Sequence, residues 1–438
     1  MRHDRTSDDS RPAPRRLLPI GVALVLVGLP VTGCKLASNT SRSTRAQPAT
    51  VPLATAEPAS ITSESPAPAT VAVEPAPVVV VVEDPPVEVV AVEPTATPRP
   101  PVRSEAPRNA PSEFTGTTAA VGGARQLALS ILMNSARSQW PQMRANAMEA
   151  LIPDPRRLRG EVVAGLVDEN RGVRFVALMS MYKAKLCELV PMAEDLLQDP
   201  SDSVRAAAIL ALRTCDHPVD PSPLARMAGS DDPEVRANAF VILGLLGNPS
   251  AEVVIRNSLG TSMGLVNPSR ARIVELQGAA ALVRLGDEEE IQPIRAALFT
   301  PTEQGELILL AIQALAELGD AGAKGMLVRL VEAPGNQARP PEIRLAAATA
   351  LARLGLREPA PYLRLASEYG VSPDPAVRAQ VAALLGFVPC ETGDAMLANL
   401  MQDQSSLVRL AAAGSVVRLT SSRSLGSPIE ATAQVDNP

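Results

Sequence analysis

Aromatic residues are scarce in this 438-residue chain: one tryptophan, three tyrosines and five phenylalanines, 2% of the total. With 42 prolines and 27 glycines beside them, the chain is not the set of about three ordinary globular domains that its length alone would suggest. Histidine is nearly missing as well, at two residues, and four cysteines are too few for a disulfide-dense scaffold. Both shortages limit metal chemistry. Positive charge is not in excess, since 41 Lys and Arg face 47 Asp and Glu for a net charge of -6. The balance is +2 over residues 1–33, -3 over 34–115 and -5 over 116–438, so no basic half is hidden by an acidic one. A chain so charged has no electrostatic footprint for nucleic acid. A membrane-length apolar run is lacking too: Leu17 to Leu29 gives 13 residues with Pro19 inside, short of the ~20 needed to cross ~30 Å of hydrocarbon.

That short run has the shape of an export signal. Arg2, Arg5, Arg11, Arg15 and Arg16 precede it and Pro30 ends it, the order of a basic segment, an apolar segment and a processing site. Val31, Thr32, Gly33 and Cys34 follow, and this tetrad resembles the lipobox of bacterial lipoproteins. The resemblance implies that residues 1–33 are a signal peptide and that Cys34 is acylated and becomes the first mature residue. It further implies a place in the bacterial cell envelope, with a membrane reached through the lipid anchor. Lys35, where aspartate would retain the protein, implies the outer membrane of a double-membraned cell.

Residues 34–118 read as a disordered tether. Fifteen prolines fall between Lys35 and Pro111, and each removes a backbone donor and biases its predecessor toward extended geometry. Neither helix nor sheet can propagate there. Fully extended as polyproline II, the segment would reach ~240 Å at most. The valine run 78–82 is guarded by Pro75 and Pro77 before it and by Glu83, Asp84, Pro85 and Pro86 after it.

Beyond residue 118 the composition turns to Ala, Leu, Val and Arg at helical spacing. Arg144, Arg174, Arg205, Arg236, Glu275, Ile308, Arg344, Arg378 and Arg409 occupy equivalent positions 30 to 39 residues apart. The residue before each is apolar: Met143, Val173, Val204, Val235, Val274, Leu307, Ile343, Val377 and Val408. Three residues after each comes Ala, Gly or Val, and seven after comes Leu, Met or Val. Offsets -1, +3 and +7 share one stripe of a 3.6-residue helix, and a small residue at +3 admits a neighbouring helix closely. Gly247, Gly286, Gly319 and Gly355 end four of these helices at one offset, where a left-handed cap is wanted. An amphipathic stretch such as 188–198 or 288–298 precedes each, so the unit is an antiparallel helix pair. A lone pair cannot bury its stripe, hence the pairs stack. The expected architecture is all-α: an α-α superhelix of about nine pairs over 119–420, with a disordered tail at 421–438.

The turns carry a family resemblance. Asp199-Pro200-Ser201-Asp202-Ser203-Val204-Arg205, with its echoes at 168–174, 231–236, 374–378 and 403–409, resembles the turn and second-helix start of HEAT repeats, especially the short HEAT-like form of bilin lyases. That resemblance implies a ladder of hydrogen bonds along the stack between turn aspartates and helix arginines. Asp168 and Arg174, Asp199 and Arg205, and Asp403 and Arg409 keep the six-residue spacing; Arg236, Arg344 and Arg378 hold the helix position. Glu275 and Ile308 depart from it, so the ladder should break in the middle.

Catalytic chemistry finds little foothold. His217 is the one histidine left after signal removal, in the turn Cys215-Asp216-His217-Pro218. HEAT-like iron hydroxylases use several His-Glu pairs, which this sequence lacks, so that activity does not carry over with the fold. Gly260-Thr261-Ser262-Met263-Gly264 matches G-x-S-x-G in letters only, because a helix rather than a strand precedes it. No catalytic residue, metal site or cofactor is expected. Cys187, Cys215 and Cys390 remain after lipidation; Cys215 reads as a small core residue, with a bond to Cys187 left open. Offsets +2, +5 and +9 should line a concave wall. They place Asn146, Asn238, Gln277, Gln313 and Gln380 there as candidate partner-binding residues, beside Glu149, Arg284, Arg353 and Arg418. The expected role is a non-enzymatic scaffold for a protein or cell-wall partner; the alternatives are a HEAT-like lyase or oxidoreductase and a passive envelope spacer.

Overall fold

The computed structural model describes residues 118–426 apart from 265 and 357. The signal peptide, Val31, Thr32, Gly33, Cys34, the tether and the last twelve residues of the expected tail lie outside the described residues.

Proline and a short polar side chain open most helices, and this sets the register of the array. Pro141, Pro155, Pro223, Pro233, Pro268, Pro341, Pro359 and Pro375 each stand in a first helical turn, where a missing N–H is no loss. Asp154, Asn170, Asp232, Asn267 and Asp374 accept from backbone N–H groups one turn on. Helices end where sequence places the glycines: Gly247, Gly286, Gly319 and Gly355 all have positive φ, a conformation that glycine adopts without strain.

The result is eighteen α-helices in nine antiparallel pairs, with no strand among the described residues. The first helices of the pairs are α1 (Thr118–Ser135), α3 (Pro155–Leu166), α5 (Val190–Asp195), α7 (Pro223–Ala228), α9 (Ala251–Leu259), α11 (Ile291–Ala297), α13 (Lys324–Glu332), α15 (Pro359–Tyr369) and α17 (Glu391–Leu400). The second helices are α2 (Pro141–Leu151), α4 (Arg171–Ala184), α6 (Asp202–Thr214), α8 (Pro233–Leu246), α10 (Pro268–Leu285), α12 (Gly305–Leu318), α14 (Pro341–Arg353), α16 (Pro375–Leu385) and α18 (Ser406–Gly426). α18 continues six residues past the expected start of the tail, because Thr420 still bonds back to Val416 and its end packs on α1.

Each second helix packs on the second helices before and after it, while the first helices cover them from one side. The stripe read from sequence is the glue: Ala147, Ala177, Ala208, Ala239, Ala311, Ala347 and Ala412 are fully buried, as are the leucines and methionine at 151, 212, 282, 315, 385 and 181. Each buried large side chain contributes roughly 1.5–3 kcal/mol. The array does not stay open, however. α18 packs against α1 and α2 as well as α16, so the nine second helices form a closed ring. At the seam Gly414 lets α18 approach α2: a Cβ there would stand 2.9 Å from the Ala150 Cβ. Arg125 on α1 latches the seam, donating to the Val417 carbonyl (3.2 Å), to Thr420 Oγ1 (2.6 Å) and Ser421 Oγ (3.1 Å) on α18, and to Asp154 (2.8 Å).

The ladder runs between repeats. Arg144 grips Asp168 of the next pair with both arms (2.8 and 2.7 Å), Arg174 grips Asp199 (2.7 and 3.0 Å) and Arg378 grips Asp403 (2.8 and 2.8 Å). The six-residue spacing has its own meaning: Arg174, Arg205, Arg378 and Arg409 also donate to the carbonyl six residues back in their own turn. Ser230 stands where Arg205 would meet an aspartate, so Arg205 turns to Asp202 of its own helix. Arg344 bonds the Val331 carbonyl (3.0 Å), Glu368 (3.3 Å) and the Tyr369 hydroxyl. The ladder is thus broken between Arg205 and Arg344, with two substitutes from first helices: Arg256 of α9 holding Asp287 and Arg295 of α11 holding Asp320.

Two outcomes follow from this packing. Gly414→Leu should overpack the seam at a cost of about 1–3 kcal/mol, and hydrogen exchange should rise in α1, α2 and α18 while α6 to α12 keep their protection; uniform loss would contradict the closure. The Arg378 hydrogen bonds hold the Asp403 carboxyl below its ordinary range, against a smaller opposing effect of burial. Its stabilisation is therefore full above pH ~4 and lost as pH falls through the lowered folded value. Asp403→Asn should flatten the acid limb of stability below pH ~4 in denaturant titrations.

Candidate functional site

Closure turns the expected concave wall into an interior. Asn146 is buried and Asn238, Gln277, Gln313 and Gln380 are half-buried. Asn238 donates to Ser203 (3.0 Å) and Gln313 to Glu317 (3.0 Å), while the Gln380 Oε1 is buried with no hydrogen-bond donor. Asn146, Asn238, Gln277 and Gln380 share offset +2, and Gln313 stands at +5. Glu149, expected to face solvent, is 3% exposed and lies 3.9 Å from Lys183.

The gathering happens at offset +9, where the second helices end. Lys183, Arg284, Glu317, Arg353, Phe387 and Arg418 occupy that offset in α4, α10, α12, α14, the turn after α16, and α18. Arg284 pairs with Glu317 at 3.0 Å, and Glu317 also attracts Arg353. The Arg353 and Arg418 guanidiniums both lie against the Phe387 ring, 5.9 and 4.4 Å from its centre, within cation–π range. Tyr182 feels Arg284 from α4, and burial raises its hydroxyl pKa against that attraction. Sequence reading named Arg284, Arg353 and Arg418 among nine wall residues but missed Lys183, Glu317 and Phe387. The shared +9 offset was the available signal.

Charge here is not balanced. Glu317 pairs with Arg284 and attracts Arg353, whereas Arg418 has no carboxylate partner among the described residues. The Arg418 Nε is buried without an acceptor. Burial, and secondarily the like charge of Arg353, push Arg418 down to about 10. Burial lowers Arg353 as well, and Glu317 opposes it. Both remain cations at neutral pH, so the folded state carries their desolvation.

The remaining candidates are structural. Arg236 is 1% exposed and donates to the carbonyls of Ser230 (2.7 Å), Thr261 (2.9 Å), Ser258 (3.2 Å) and Gly229 (3.4 Å). It fastens the start of the 260–268 insertion. Cys187 and Cys215 are joined in a disulfide, so Cys215 is bonded rather than a lone core residue; Cys390 is a free thiol. His217 meets Glu194 at 2.7 Å. Among the described residues no three His, Cys, Asp or Glu side chains gather to hold a metal, and no helix is long and apolar enough to cross a membrane.

Comparison with known proteins matches the repeats. The HEAT repeats family model matches residues 160–241 and 190–263. Human deoxyhypusine hydroxylase is among the similar solved structures, at 17% identity over 69% of this chain and 99% of that one, with a TM-score of 0.30. No curated protein matches the chain in sequence. The fold is all-α, built from HEAT-like helical repeats.

Arg418→Met should raise stability by about 1–3 kcal/mol, because an uncompensated buried cation gives way to an apolar side chain of similar length. Urea unfolding of the two proteins measures it.

Proposed function

We propose that this HEAT-like helical-repeat protein is a non-enzymatic scaffold of the bacterial cell envelope, tied to a membrane through acylated Cys34 and held off it by the proline-rich segment. The observation that carries the reading is where large apolar side chains are exposed. Among the described residues Trp140, Val167, Phe299 and Val371 are 50–84% exposed and stand in turns joining the first helix of a pair to the second, while Leu127 and Val253 lie on the first helices α1 and α9 and Leu356 follows α14. These turns share one edge of the ring. Through the α18 seam, the pairs bearing Val371, Trp140 and Val167 fall in one arc. A partner covering several of these turns at once would bury their apolar area together, so we place docking on the turn edge rather than on the interior wall. The disulfide supports export, because such bonds persist in oxidising compartments, and the tetrad 31–34 supports lipidation.

The test has two arms. Trp140→Ser with Val371→Ser should leave the unfolding midpoint within a few degrees while abolishing capture of the envelope partner that the parent chain retains. Cys34→Ala should lose lipid labelling and release the chain from the membrane fraction. Unchanged capture removes the docking edge, and unchanged labelling removes the anchor.

A further inference from the structure

We propose that the interior of the ring, where α14, α16 and α18 end, is a binding site for a small oxyanion, a phosphate or a carboxylate group, held between Arg353 and Arg418. Four observations lead there. Two guanidiniums from non-adjacent helices converge on one ring, Phe387, and that contact limits the freedom that a long side chain would otherwise lose on binding. Arg418 has a buried Nε without an acceptor, and a buried donor left unmade is costly unless something fills it. Its neighbourhood offers no carboxylate among the described residues, whereas the ladder arginines Arg144, Arg174 and Arg378 each have one. The chain is acidic overall, so an excess of positive charge at this one interior place is not a general property of its surface.

The arrangement suits an oxyanion in particular. A guanidinium fork presents parallel N–H donors that match two oxygens of a carboxylate or phosphate, and neither arginine is wholly sealed from solvent, although the Arg418 Nε is. Glu317 keeps Arg284 and attracts Arg353 from one side, so the site is open to negative charge on the Arg418 side. Gly386, beside the ring, makes room: a Cβ there would stand 3.0 Å from the Arg418 Nη1.

Thermal unfolding of the full chain in sodium phosphate, in sodium acetate and in sodium chloride at matched ionic strength tests the site. The parent midpoint should rise above its chloride value by about 2 °C or more in phosphate, acetate or both, as expected when a ligand binds the folded state alone. The responding arm tells which group the site takes. Arg418→Met should unfold later than the parent in chloride and show no anion response. Arg409→Gln, which removes a turn-edge arginine, should unfold earlier yet keep the response. If the methionine variant loses its helical signal, Arg353→Met is measured instead, with the same expected loss. No response beyond chloride in the parent overturns the proposal, and so does an undiminished response in the arginine-to-methionine variant.

Discussion

Nine copies of a helix pair can bury eight of their mutual faces by stacking, but an open stack leaves two end faces in water. Repeat arrays commonly meet this with polar end units. Here the apolar stripe persists to both ends, with Ala128, Leu129 and Leu132 on α1 and Ala412, Ala413, Val417 and Leu419 on α18 all buried. Contact between α18 and α1 and α2 covers both faces at once. The close approach of Gly414 to Ala150, with Arg125 across the seam, is therefore the constraint on which the rest depends. Without it the interior would open, the +9 side chains would be hydrated and the turn edge would be a line with two ends.

Closure also explains the polarity of the interior. Side chains at +2, +5 and +9 would be ordinary solvated groups in an open array. Drawn inside, they must find one another: Asn238 finds Ser203, Gln313 and Arg284 find Glu317, and Lys183 lies near Glu149. Arg418 does not find a carboxylate. An unbalanced cation of this kind lowers stability, and sites that spend stability in this way tend to be functional. The ladder shows the contrast, since there each arginine with an aspartate ahead of it takes that aspartate.

The break in the ladder has a physical cause in particular residues. Ser230 in place of an aspartate deprives Arg205 of its partner, and Glu275 and Ile308 deprive the two repeats after that of Arg236 of the arginine itself. Main-chain carbonyls compensate through Arg236, which gathers the turn at 229–230 and the start of the long 260–268 loop. The insertion is thus accommodated where the regular linkage is absent.

How much was legible in the sequence follows from the range of each interaction. The nine units, the buried stripe, the glycine caps and the position of the ladder break depend on neighbours within one helix or one repeat, and residue spacing encodes those directly. Closure is different, because it depends on a small rotation per pair accumulated over nine pairs, and no single repeat displays that angle. So the burial of Glu149, the meeting of Arg353 and Arg418 on Phe387, the Cys187–Cys215 bond and the placing of the Val371 and Trp140 turns on either side of the α17/α18 pair were decided only when the helices were laid against each other. Sequence determined which faces must be covered; tertiary structure decided that the first and last helices of the repeat array would cover each other, since that leaves no apolar end face in water.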